Sequence, residues 1–282
     1  MSETEAVIAA LRKTCAQHRI DILEMITEAG SGHPGGSLSA IDLIEALYAR
    51  VLHHDPKRPD DPDRDRFVLS KGHGVPALYA VLAHHGYFDR KLLPTLRKLG
   101  SPLQGHPVRG TAPGVEACTG SLGQGLSIAV GMALAARVDH KKYSVWCMMG
   151  DGEIQEGQVW EAFMSAGKLG LDGLAGILDF NKAQIDGLVE DVMPIEPIED
   201  KARAFGWLTR RIDGHDYAAI LDAYAWAQRR EGKPKLIVAD TIKGKGVSFM
   251  ESELVKWHGV APTREQCEKA VAEIRASQGG AR

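Results

Sequence analysis

The sequence predicts an α/β fold, a parallel sheet with helices on both faces. Short runs without charge, such as Val145 to Met149, read as strands buried on both sides. Longer stretches with apolar residues three and four positions apart read as helices and alternate with those strands. The 282 residues, 44% hydrophobic and 25% charged, suffice for one large domain of this kind.

Taken in order, Ile8, Leu11, Cys15, Ile22 and Ile26 form one helical stripe that stops at Gly30-Ser31-Gly32-His33-Pro34-Gly35-Gly36. A second helix follows, with Ile41, Ile44, Leu47 and Val51 on its inner face and Ser39-x-x-Asp42 as a capping box at its start. Proline and aspartate crowd positions 55–63, a surface loop. Phe67-Val68-Leu69 is a short strand. Gly125 to Val138 is small or apolar at nearly every position and predicts a helix buried on most sides. A strand at 145–149, a helix near 155–169 and a strand near 174–179 come next. Trp207 to Arg210, a helix over 216–230 capped by Asp216, and Leu236 to Ala239 repeat the alternation. Residues 1–262 read as the domain, and 263–282 as one polar helix and a frayed end.

Composition excludes several classes of function. A net charge of −3 gives no reason to expect nucleic acid or an anionic membrane as partner. Arg64-Asp65-Arg66 and Arg210-Arg211 read as solvated or local features. The four cysteines form no Cys-x-x-Cys pair, so neither a disulfide framework nor a zinc site is expected, and a reducing cytoplasm is the default. The first residues are acidic, unlike a secretory signal, and no apolar stretch is long enough to span a membrane.

The strongest chemical signal lies between 150 and 187. A buried strand runs into Gly150-Asp151-Gly152, where the glycines allow a sharp turn and a close backbone approach to a ligand. Asp151 then projects from a strand's carboxyl end, where open α/β folds bind ligands, and the next helix offers free N–H groups to a phosphate. Another strand ends at Phe180 and delivers Asn181. A carboxylate and an amide oxygen from neighbouring strands suit a magnesium ion carrying phosphate oxygens. Taken singly, Asp-Gly and Asn-Lys would read as surface turns; their shared position after apolar strands favours a site.

A second signal is a set of glycine-flanked histidines: His33, His73, His106 and His258. Histidine can donate to an anion, move protons near neutral pH or orient a hydroxyl. The remaining histidines read as structural. His53-His54 and His84-His85 close helices, where a cation is mildly favoured, and His215 lies in a strand-to-helix turn.

Together these stretches resemble the N-terminal half of transketolase, in the same order, over roughly residues 5–262. The matching pieces include Ser31-Gly32-His33-Pro34-Gly35, Asp65 through His73, Pro113-Gly114-Val115-Glu116 and Thr119 through Gly125. Gly150 through Gly157, Asn181-Lys182, Ile185-Asp186-Gly187, Lys243-Gly244 and His258-Gly259 complete the set. The resemblance implies a thiamine-diphosphate-binding fold of the diphosphate-holding type. It implies a divalent metal (Mg2+, or Ca2+ or Mn2+) on Asp151, Asn181 and the carbonyl of Ala183, flanked by Gly150 and Gly152. It implies His73, Lys243 and His258 near the diphosphate, Gly120, Ser121 and Leu122 on the aminopyrimidine side, and Ile185 near the thiazolium. His33, His106 and His258 would touch the sugar hydroxyls, and Glu156 would link to a glutamate on the partner.

The implied reaction moves a two-carbon ketol unit from a ketose (phosphate) to an aldose (phosphate). A full-length transketolase is more than twice this long. The pyrimidine-binding domain and the activating glutamate are therefore expected on a separate subunit, with two such pairs in a two-fold heterotetramer. Three rivals stand beside this reading. Gly30-Ser31-Gly32-His33-Pro34-Gly35 satisfies G-x-G-x-x-G but follows a helix, whereas a dinucleotide site needs a strand there. A deoxyxylulose-phosphate synthase or the α subunit of a 2-oxo-acid dehydrogenase would share the cofactor but not the reaction. A non-catalytic subunit would not need Asp151, Asn181, His33, His73 and His258 together.

Overall fold

The computed structural model describes residues 2–279, and among these five strands pair in parallel. They are β1 (Arg66–Leu69), β2 (Val145–Gly150), β3 (Leu174–Phe180), β4 (Leu208–Asp213) and β5 (Lys235–Asp240), in spatial order β1-β2-β3-β5-β4. The helices are α1 (Glu3–Ala29), α2 (Pro34–Arg50), α3 (Val75–His84), α4 (Gly125–Val138) and α5 (Gly157–Leu169). After β3 come α6 (Val189–Val192), α7 (Ile198–Ala204), α8 (Tyr217–Ala227), α9 (Ser248–Glu251) and α10 (Arg264–Gly279).

The predicted α/β class is the observed one, and its logic is visible in the strands. Side chains alternate across a sheet, so Trp146, Met148, Ala175, Ile177, Ile237 and Ala239 enter one apolar cluster, with residues of α1, α2, α3, α8 and α10. Val145, Cys147, Met149, Leu174, Leu178, Leu236 and Val238 enter the other, with α4, α5 and α7. Both faces being covered explains why these strands carry almost no polar residue. Asp179 is the exception in β3, fully buried at 0% exposure.

Several local expectations are corrected. The second helix begins at Pro34, not at Ser39: proline occupies its first turn, and Gly35 and Gly36 lie inside the helix, which is buried nearly all round. Ser39 is an interior residue whose hydroxyl donates to Asp179 (2.7 Å), with the Gly36 carbonyl a longer neighbour at 3.2 Å. Helix α4 has the predicted bounds but is not buried on most sides. Leu126, Ala129, Ala133 and Ala136 face the core, while Leu134 and Val138 are exposed. His54 does bond a carbonyl of the last turn of α2, that of Tyr48, but not as a cation, because burial lowers its pKa. His84 is held down by burial in the same way. Arg64 is not a solvated feature, since it forms a half-buried fork with Glu116.

The last helix is not merely polar. Cys267, Ala270, Val271 and Ile274 pack into the cluster that includes α1. The expected frayed end lies beyond residue 279, outside the described residues. Between α1, α2 and α3, Glu45 Oε2 accepts from His18 Nε2 (3.0 Å) and His85 Nε2 (3.2 Å), remote from the strand ends described below. All four cysteines are free thiols. Among the described residues no helix is long and apolar enough to cross a membrane.

Candidate active site

The carboxyl ends of β1, β2, β3 and β5 bring together the residues that the sequence singled out. In β2 and β3, Gly150 pairs with Asp179, so the turns that follow each strand lie side by side. Asp151, 3% exposed, accepts the backbone N–H of Gly152 (2.8 Å) and that of Lys182. Lys182 reaches it from a left-handed backbone (φ 67°), a conformation that non-glycine residues rarely hold unless the surroundings impose it. Asn181 is buried beside it, its Oδ1 accepting the Ala183 N–H (3.3 Å). Burial, reinforced by the nearby Asp179 carboxylate, pushes the Asp151 carboxyl up to about 6. A buried carboxylate short of positive charge is a place where a cation is stabilised.

Lys243, from the loop after β5, reaches this set through the Ala183 carbonyl. Its buried ammonium donates to the Ala183 carbonyl (2.7 Å) and to His258 Nδ1 (2.9 Å). An ammonium can only donate, so Nδ1 of His258 accepts and the ring proton sits on Nε2. Burial pushes Lys243 down to about 8, against the opposing pull of Asp151.

The four glycine-flanked histidines converge, as the family resemblance implied. Ring centroids of His33 lie 5.2 Å from His73, 5.5 Å from His258 and 6.1 Å from His106, and His73 stacks on His258 at 5.2 Å. Burial lowers all four, with Arg97 assisting at His33 and His106, Lys71 at His73 and Lys243 at His258. His33 falls to about 4 and His258 to about 3, so this wall is neutral near pH 7. Neutral imidazoles can both donate to and accept from hydroxyls, which suits a polyol better than a purely anionic ligand. His33 Nδ1 is buried without a hydrogen-bond partner, an orphan that a ligand could satisfy.

Glycine at position 35 is required by this convergence. A Cβ there would lie 2.8 Å from the Trp257 carbonyl and 2.9 Å from Cγ of Lys243, and the Gly35 N–H donates to that same carbonyl (3.0 Å). The rim is more open. Gly120, Ser121 and Glu156 are exposed, Leu122 is 37% exposed and Ile185 64% exposed.

Three residues behind the site were not singled out by their chemistry in the sequence. Lys71, after β1, donates to the Gly36 carbonyl (2.8 Å) and forms a fully buried ion pair with Asp179. Burial opposes ionisation of Asp179, but Lys71 holds its carboxyl below the ordinary range. Breaking such a pair from one side costs roughly 3–5 kcal/mol. Glu153, 2% exposed, accepts the N–H groups of Gly123 and Gly150 (both 3.0 Å) and the Ser70 hydroxyl, fixing the 119–125 loop beside the Asp151 turn. A charged residue inside an otherwise apolar strand is the one sequence signal that could have found Asp179. The G-x-G-x-x-G stretch lies between α1 and α2 rather than after a strand, which removes the dinucleotide reading.

Comparison with known proteins gives the same direction. The sequence profile of the family described as "Transketolase, thiamine diphosphate binding domain" matches residues 11–279. The 6-deoxy-6-sulfo-D-fructose transketolase subunit SqwG of Clostridium sp. strain MSTE9 is 49% identical over 263 residues, 92% of this chain and 95% of that protein. A subunit of the apulose-4-phosphate transketolase of Phocaeicola vulgatus is 41% identical over 267 residues, 95% of this chain and 94% of that one. Among solved structures, transketolase from Campylobacter jejuni superposes with a TM-score of 0.88 at 35% identity, covering 94% of this chain and 42% of that chain. Transketolase from Leishmania mexicana gives 0.86 at 34% identity over 95% of this chain and 41% of that chain. The chain thus spans about two-fifths of the solved transketolases it matches, but nearly the whole of the two named subunits.

Proposed function

The chain belongs to the transketolase family of thiamine-diphosphate-binding domains, and from that premise we propose that it is the diphosphate- and metal-holding subunit of a split transketolase. It acts with a complementary subunit that supplies the pyrimidine-binding domain and the activating glutamate, in a two-fold assembly of two pairs. The observation that carries the reading is the meeting of Asp151, Asn181, the Ala183 carbonyl and Lys243 at adjacent strand ends, beside four neutral histidines.

The residues present fit the group the family implies. Asp151, Asn181 and the Ala183 carbonyl form an all-oxygen set, as a hard divalent cation such as Mg2+ requires. Lys243, His73 and His258 lie where they can neutralise or bond a diphosphate, backed by the Gly150 and Gly152 turn. Gly120, Ser121 and Leu122 border the aminopyrimidine side, and Ile185 the thiazolium. Thiamine diphosphate, when bound, supplies the nucleophilic carbon for adding to a ketose carbonyl.

The chain's own residues then orient the sugar. His258 presents Nε2–H outward because Lys243 occupies Nδ1. His33 and His106 line the same wall and can hold hydroxyls beside the reacting carbon, accepting or returning a proton as the carbon–carbon bond breaks. Glu156, exposed at the start of α5, is free to pair with a glutamate of the complementary subunit, as the family resemblance implies. The exposed Leu122, Leu134, Val138 and Ile185 are the surface that the cofactor and the complementary subunit cover. The names of the two subunit relatives, one giving a sulfonated sugar and one a sugar phosphate, support a donor bearing an anionic group. Residues up to 262 are read as the cofactor-binding unit, against which α10 packs through Cys267, Ala270, Val271 and Ile274, and the four free thiols fit a cytoplasmic enzyme.

The test is to purify the chain, measure thiamine diphosphate binding with and without Mg2+, and assay ketol transfer before and after adding the complementary subunit. Metal-dependent binding is expected, with transfer only in the assembled pair. Transfer at a full rate by the chain alone would overturn the split, and tight cofactor binding unaffected by chelation would overturn the site.

A further inference from the structure

We propose that Asp179 is a positioning residue that fixes which end of the Asn181 side-chain amide faces the cation. The inference rests on the functional reading above and deepens it. An asparagine amide has one end that can ligate a metal, the carbonyl oxygen, and one that cannot, the NH2 group. The two ends have nearly the same shape, so packing alone does not choose between them.

The surroundings of Asp179 make the choice. This carboxylate is 0% exposed and is met only by donors. Oδ2 accepts from Ser39 Oγ (2.7 Å) and the Lys71 ammonium, and Oδ1 accepts from Thr241 Oγ1. The remaining neighbour of Oδ2 is Asn181 Nδ2, at 3.3 Å. An ionised carboxylate has no hydrogen to give, so the opposite amide orientation would set two acceptor oxygens against each other in a buried site. The Asn181 carbonyl oxygen is therefore turned away from Asp179, onto the N–H of Ala183 at the candidate cation site. Groups that stand behind a metal ligand and orient it in this way typically contribute about 10–100-fold to metal affinity.

The test measures Mn2+ binding to the full chain in the presence of thiamine diphosphate, from the loss of the free-ion electron paramagnetic resonance signal. Asp179→Asn offers Asn181 an acceptor or a donor and should weaken Mn2+ at least about tenfold. Because that change leaves Lys71 buried without its partner, Lys71→Met combined with Asp179→Asn provides a charge-balanced version, expected to show the same loss. Ser39→Ala removes a bond from Asp179 without touching the amide and should stay within about threefold of the parent. A readout that needs no variant is exchange of the Asn181 side-chain amide protons in 15N-labelled, metal-free protein. Slow exchange is expected of a donor held on a buried carboxylate. Parental Mn2+ affinity in the folded double variant, or fast exchange of that amide in the parent, overturns the proposal. Failure of the parent itself to bind Mn2+ with thiamine diphosphate overturns the functional reading and the proposal with it.

Discussion

Replacing Asp151 by asparagine should stabilise the metal-free chain at alkaline pH while removing its metal site. Burial and Asp179 raise the Asp151 carboxyl from 3.8 to about 6. A shift of about two units corresponds to roughly 3 kcal/mol. The sign follows from which state holds the proton. Below the unfolded value both states are protonated and nothing is lost. Between 3.8 and about 6 the unfolded chain ionises first, so stability falls as pH rises, and above about 6 the full cost is present. An uncharged amide in its place would not carry that cost at any pH. It would, however, leave one of the Gly152 and Lys182 N–H groups without its acceptor, a loss of about 1 kcal/mol. The net expectation is that Asp151→Asn is about 2 kcal/mol more stable than the parent at pH 8, and about 0.5 kcal/mol less stable near pH 4, where the parent carries only a small part of the cost. Urea denaturation in chelator at both pH values measures the difference. With saturating Mg2+ and thiamine diphosphate at pH 8 the order should reverse, because only the parent gains stability from binding. A penalty of one size and sign at both pH values in chelator would refute the electrostatic account of the site.

Two further outcomes follow from other residues. Burial would raise Glu45, but the hydrogen bonds from His18 and His85 hold its carboxyl down at about 2, so Glu45 stabilises the fold above its unfolded value of 4.5 and loses that contribution as pH falls toward 2. Glu45→Gln should therefore cost up to about 3 kcal/mol at pH 7 and much less near pH 3, checked by urea denaturation, and an unchanged penalty at pH 3 would count against the carboxylate's role. Ile185→Ala, at a position 64% exposed, should alter stability by less than about 0.5 kcal/mol yet weaken thiamine diphosphate binding about tenfold in the assembled enzyme, read by calorimetric titration; unchanged affinity would place Ile185 away from the cofactor.

The sheet was legible because burial on both faces leaves a plain mark, and the strands at Val145 and Leu174 carry it. The Gly150–Gly152 turn and Asn181 were legible for the same reason, each following such a strand. The start of α2 was not, because Gly35 and Gly36 look like helix breakers until Lys243, Lys71 and His73 are seen crowding them. The exposed side of α4 was misread because small or apolar residues at nearly every position do not tell which of them face the core of this chain. Lys71 and Asp179 were missed as a pair because 108 residues separate them, and only the parallel register brings β1 and β3 within reach across β2. Histidine proximity was anticipated only through the family resemblance, and neutrality was not anticipated, since it depends on burial that no local pattern encodes.

The carboxylate at the end of β3 gathers hydroxyl and ammonium groups whose codons lie far apart, the first at position 39 and the last at 241. During synthesis the strand that bears it leaves the ribosome well before Thr241 does. Closing before then would strip that charge of water without supplying its full set of partners, so a nascent chain gains little by closing this end of the sheet early. Truncated translation products should accordingly be left open at the catalytic end and exposed to proteolysis there, and cofactor capture belongs to the completed polypeptide.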